Sequence, residues 1–105
     1  MVLEGNLSKA EPFTFRLKVP ARYTIAPHTH PAVEHVTVIS GALRFGTGET
    51  FDKEKGTVLP AGSFAAFPAN HAMYAYALED SVFQVHGVGP WGITYANAAD
   101  DPRTN

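Results

Sequence analysis

Residues 22–41 read RYTIAPHTHPAVEHVTVISG, and the spacing of His28, His30 and Glu34 within them decides how the chain is read. In an extended strand residues two apart share a face, with Cα atoms ~6.6 Å apart, so the imidazoles of His28 and His30 can approach one ion. Pro31 breaks that strand and lets the chain turn into the next. Glu34 opens the following run, Glu34 to Ser40, and its carboxylate can close on the same point. Two imidazoles and one carboxylate suffice as a first set of ligands for a divalent metal with open positions. The residues alone leave a second reading open, two surface histidines near a turn. His35 points away from Glu34 and is expected outside any such site.

Outward from this stretch, short runs of Val, Ile, Thr, Phe and Tyr recur between Gly, Pro and Asn breaks. Strands are expected near Phe13–Lys18, Tyr23–Thr29, Glu34–Ser40, Ala42–Phe45, Thr57–Leu59, Ser63–Phe67, Ala72–Ala77, Ser81–His86 and Ile93–Tyr95. That rhythm is all-β, a sandwich or barrel. No segment keeps a helical period for three turns. Gly41 marks a tight turn, the charged stretch Arg44–Lys55 an exposed hairpin or loop, and the polar tail 97–105 a loose end.

The 105 residues make one domain, 1–105, and leave no room for a second. Only 17% are charged against 45% hydrophobic, fewer charges than the roughly one quarter usual for a globular chain. Part of the exterior is therefore expected to be covered in a homodimer. Eight Lys and Arg against ten Asp and Glu give a net charge of −2, which argues against nucleic acid as a partner. Without cysteine, any metal must be held by His, Asp, Glu or Met. The uncharged stretches Gly56–Leu78 and Ser81–Ala99 are broken by prolines, glycines and histidines, so no membrane helix is expected. The first residues lack the pattern of an export signal, so the chain as given is expected in the cytoplasm, or in the periplasm if a longer precursor carried a signal.

The spacing His28-x-His30, three residues, Glu34, six residues, Gly41 resembles the first motif of the cupin superfamily, G-x5-H-x-H-x3-E-x6-G, with Arg22 at the position of the first glycine. Gly62, five residues and Pro68 resemble the start of its second motif, G-x5-P-x-G-x2-H-x3-N. There Asn70 replaces the glycine, Met73 the histidine and Ala77 the asparagine. The two motifs, at 22–41 and 62–77, cover about half the chain. Residues Gln84 to Tyr95 are similar to the closing strands of small single-domain bacterial cupins of unassigned activity.

The resemblance implies a double-stranded β-helix, a jelly-roll barrel with a pocket inside one end. It further implies a divalent metal (Zn, Mn, Fe, Ni or Cu) at that pocket, normally held by three histidines and one glutamate. His28, His30 and Glu34 map onto three of those ligands and Met73 onto the fourth. A thioether is a soft ligand that suits copper, and an apolar filler is the other reading of Met73. His71 would share a face with Met73 if the strand has begun there, and is the alternative fourth ligand. His86 and Gln84 line the pocket if Val82 points to the core, and Tyr74 is a further pocket residue. His71 and His86 are the candidate general bases. The alternation Trp91, Ile93, Tyr95 reads as a core or dimer face. The expected function is a small metal-binding cupin of unassigned activity, for which the metal site leaves open a metal-dependent enzyme of oxygenase, isomerase or lyase type acting on a small organic molecule. Its alternative is a non-catalytic module that binds or senses such a molecule with a weakened or empty metal site.

Overall fold

A computed structural model of the chain describes residues 1–101. It has ten strands: β1 (Val2–Glu4), β2 (Pro12–Val19), β3 (Thr24–Thr29), β4 (Glu34–Ser40), β5 (Ala42–Thr47), β6 (Thr57–Pro60), β7 (Phe64–Phe67), β8 (Met73–Ala77), β9 (Ser81–Val88) and β10 (Thr94–Tyr95). Among the described residues the helical content is one 3-10 turn, Ala98–Asp100. The tail beyond 101, expected to be loose, lies outside the described residues.

The strands form two five-stranded sheets, in the order β1-β2-β9-β4-β7 and β10-β3-β8-β5-β6, with antiparallel pairing throughout. Period-2 alternation sends one side chain of each pair inward. Phe13, Phe15 and Val19 of β2, Val36 and Val38 of β4, and Phe83 and Val85 of β9 meet Leu43 and Phe45 of β5 and Met73, Ala75 and Ala77 of β8. This apolar layer is the main stabilising element, since each fully buried side chain of this kind contributes about 1.5–3 kcal/mol.

The charged stretch 44–55 is shorter as a loop than its composition suggests, because β5 continues through Thr47. Its outward positions carry the polar groups, as with Arg44, whose Nη1 donates to the Glu54 carbonyl. Gly41 makes the expected turn, at φ 81. In β9 the inward positions are Ser81, Phe83 and Val85, so Val82 does not point to the core. The apolar members of the alternation went inward and the polar ones stayed with solvent.

Candidate functional site

Two irregularities in β3 and the turn after it assemble the site. The pairing of β3 with β8 slips between Ile25, opposite Ala75, and His28, opposite Met73, so three residues of β3 span two of β8. Such a bulge re-aims side chains; strict alternation would put Ile25 and His28 on opposite faces, yet both line the same cavity. His30 follows the strand, with its carbonyl accepting the amide of Asn70 at 2.7 Å. Glu34 begins β4 at an inward position, in the same frame as Val36 and Val38.

His28, His30 and Glu34 are 3%, 2% and 4% exposed, at one end of an apolar cavity of about 70 Å³. The His28 and His30 rings stand edge to face with centroids 4.6 Å apart. His30 Nε2 bonds Glu34 Oε2 at 2.8 Å, and the Trp91 indole N–H donates to the same oxygen at 3.4 Å. Trp91 also stacks on His30, at 5.3 Å. His28 Nδ1 donates to the Ala26 carbonyl at 2.6 Å, which fixes the ring and leaves Nε2 as the acceptor of the neutral imidazole. Burial holds the His28 pKa below its ordinary value, against the raising effect of that backbone bond. Burial costs the charged ring its hydration, so the neutral form is favoured.

The donor chemistry fits a divalent metal: two imidazoles, one pinned by a backbone carbonyl as metal-binding histidines usually are, and a carboxylate beside them. The arrangement is a different matter. His30 and Glu34 bond each other, and among the described residues no three His, Asp or Glu side chains stand grouped around a metal position. Met73 is 2% exposed, lies opposite His28 in the sheet and lines the cavity.

Four other sequence candidates fall elsewhere. His71 is exposed and precedes β8, which starts at Met73, so it does not share that strand's inner face. Gln84 faces outward, where its Oε1 accepts from Arg16 Nε at 3.1 Å and Nη2 at 2.8 Å. His86 also faces outward, stacked on His35 at 5.0 Å. The inward frame of β9 runs through Ser81, Phe83 and Val85, one residue out of step with the frame that would put Gln84 and His86 in the pocket. Tyr74 is buried, but on the other face of β8, where its ring meets Phe51 at 5.3 Å and covers Gly46. His35 does lie away from the site. Trp91 packs against the core, as its alternation implies, and what the sequence reading missed is that Trp91 and Ile93 line the cavity. Their alternation was the available signal; nothing local tied it to Glu34.

No family profile and no curated protein matches the chain by sequence. Solved structures do match by shape. An uncharacterised conserved protein with a double-stranded β-helix domain from Klebsiella pneumoniae is 24% identical, with TM-score 0.69 over 91% of this chain and 81% of its own. A cupin-2 domain containing protein from Shewanella frigidimarina is 17% identical, with TM-score 0.66 over 85% and 78%. An RmlC-like cupin protein from Ralstonia eutropha is 22% identical, with TM-score 0.67 over 88% of this chain and 55% of its own. These likenesses show the fold alone: the chain has the double-stranded β-helix fold of small cupins.

Proposed function

We propose that this small cupin binds a divalent metal through His28, His30 and Glu34 and acts on a small organic molecule in the adjoining cavity. The observation that carries the reading is the placement of three ionisable side chains, each no more than 4% exposed, at one end of an otherwise apolar cavity. Burying such groups together is unfavourable unless they bond one another or an ion.

His28 would offer Nε2, His30 its Nε2 once released from Glu34, and Glu34 its carboxylate, with Met73 beside them. A bound metal supplies Lewis-acid polarisation of a carbonyl or enolate. The chain's own contributions are distinct. The Ala26 carbonyl orients the His28 ring, the Trp91 indole holds Glu34, and the apolar walls exclude water, which strengthens every polar contact inside. Neither His71 nor His86 reaches the cavity, so neither is the base of this reading. We extend the proposal to a second copy of the chain as partner, as the scarcity of charge suggests.

Zinc titration by calorimetry on protein freed of metal tests it. One site per chain is expected, weakened at least about tenfold by His28→Ala or Glu34→Gln, a loss of about 1.4 kcal/mol. Met73→Ala should change zinc affinity little, because a thioether is a poor zinc ligand. Met73→His should tighten binding, because the new imidazole stands opposite His28. No saturable zinc binding in the wild type would remove the metal and leave the non-catalytic module, which the His30–Glu34 bond at 2.8 Å favours.

A further inference from the structure

We infer that the cavity, when free of metal, selects small uncharged organic molecules with one polar end and rejects carboxylates of the same shape. The inference rests on reading the cavity as the ligand site and adds the class of occupant. Of the thirteen residues that line it, three are ionisable, His28, His30 and Glu34, and none is Lys or Arg.

The cations of the neighbouring strands are turned away. Arg16 alternates with Phe15 and Leu17 and is engaged outside by Gln84, Lys18 is exposed, and Arg44 bonds the Glu54 carbonyl. An anion entering the cavity would give up water for hydrocarbon, with the Glu34 carboxylate as neighbour and, among the described residues that line it, no guanidinium or ammonium to pair it. Burial of an unpaired ion is strongly unfavourable. A neutral amide, alcohol or carbonyl loses much less and can bond the two imidazoles and Glu34.

Size and direction follow from the same walls. A volume of about 70 Å³ is small beside the roughly 300–1,000 Å³ of ordinary ligand pockets, so the occupant has few heavy atoms. Leu17 is 40% exposed although Phe13, Phe15 and Val19 on the same face are buried, which places it at the mouth. The polar end therefore lies at His28, His30 and Glu34, and the hydrocarbon runs along Phe83 and Val85 toward Leu17.

Propionamide and propionate have nearly the same shape and differ by a charge. Trp91 is the single tryptophan of the chain and lines the cavity, so its fluorescence reports occupancy. In EDTA-treated protein at neutral pH, propionamide should bind at least about tenfold more tightly than propionate. Leu17→Arg, at an exposed position, sets a cation at the mouth and should shrink that ratio, with a thermal melt confirming that the variant folds. Equal or tighter binding of propionate, or no response to either compound, overturns the inference whether or not the variant folds. Zinc-loaded samples separate the two readings. A gain for propionate on adding zinc supports metal binding through the three side chains, while the propionamide preference stands or falls on the EDTA-treated protein alone.

Discussion

Arg22 and Asn70 stand where the cupin motifs carry glycine, and both have positive φ, 67 and 62. The backbone at both turns is left-handed, the conformation that glycine adopts most readily. An L-residue there costs roughly 1–2 kcal/mol, less for Asn, whose short polar side chain tolerates the region. Arg22→Gly should therefore raise stability by about 0.5–1 kcal/mol after the added freedom of the unfolded chain is subtracted. Asn70→Gly should change it by less than about 0.5 kcal/mol. Urea unfolding measures both, and a loss in Arg22→Gly would mean that the Arg22 side chain holds the turn. His28 carries a second residue-scale consequence. Its folded pKa lies below the ordinary 6.5 because burial disfavours the charged ring. Below that value the unfolded chain takes up a proton that the folded chain resists. The stability tied to His28 is thus intact above pH 6.5 and declines as pH falls toward and through the folded value. Between about pH 7.5 and about pH 5, wild-type protein should lose more stability in urea than His28→Gln, which has no proton to gain. An equal loss in the two would contradict burial as the cause.

At the scale of elements, what was legible followed from how local the deciding interaction is. The nine strands read from turn residues and β-branched runs are all present, because those signals act within a few residues, while the three-residue β1 carries too short a run to announce itself. His28, His30 and Glu34 are legible because they lie within seven residues of chain, although the inward turn of His28 also needs a distant strand. The frame of β9 was misread although Phe83 and Val85 alternate with Gln84 and His86, since Val82 competes with Phe83 as the first inward residue. The bulge that turns His28 inward depends on the pairing of β3 with β8, forty-odd residues away, and leaves no local mark beyond Pro27. Trp91 was noticed for its alternation, but its bond to Glu34 spans 57 positions. The corrected frame yields a prediction. Phe83→Ala should cost about 3–5 kcal/mol, whereas Gln84→Ala and His86→Ala should each stay within about 1 kcal/mol and leave zinc affinity unchanged. Denaturant unfolding with calorimetry checks this, and loss of zinc in His86→Ala would return that residue to the site.

The whole molecule has an uneven exterior, and that is where the low charge content finds its explanation. On the outer face of the β1-β2-β9-β4-β7 sheet, His35 stacks between His86 at 5.0 Å and Phe64 at 5.8 Å. Beside them Phe64 is 57% exposed, Val88 58% and Val33 45%. Phe64 belongs to β7, which ends its sheet, and an edge strand with an exposed aromatic residue invites pairing unless something covers it. Covering this face with the same face of a second copy is self-consistent, because a two-fold contact needs one patch complementary to itself. Stacked rings and branched aliphatic side chains are suited to that in a way that a single row of like charges is not. The proposed homodimer thus places its contact on the side of the sheet opposite the cavity, where assembly leaves Leu17 and the mouth free. Sedimentation should give twice the chain mass at high protein concentration. Phe64→Glu, which sets a carboxylate against its symmetry mate, should halve that mass and leave zinc and propionamide affinity unchanged. A monomer in the wild type overturns the dimer, and a dimer that survives Phe64→Glu moves its contact to another face.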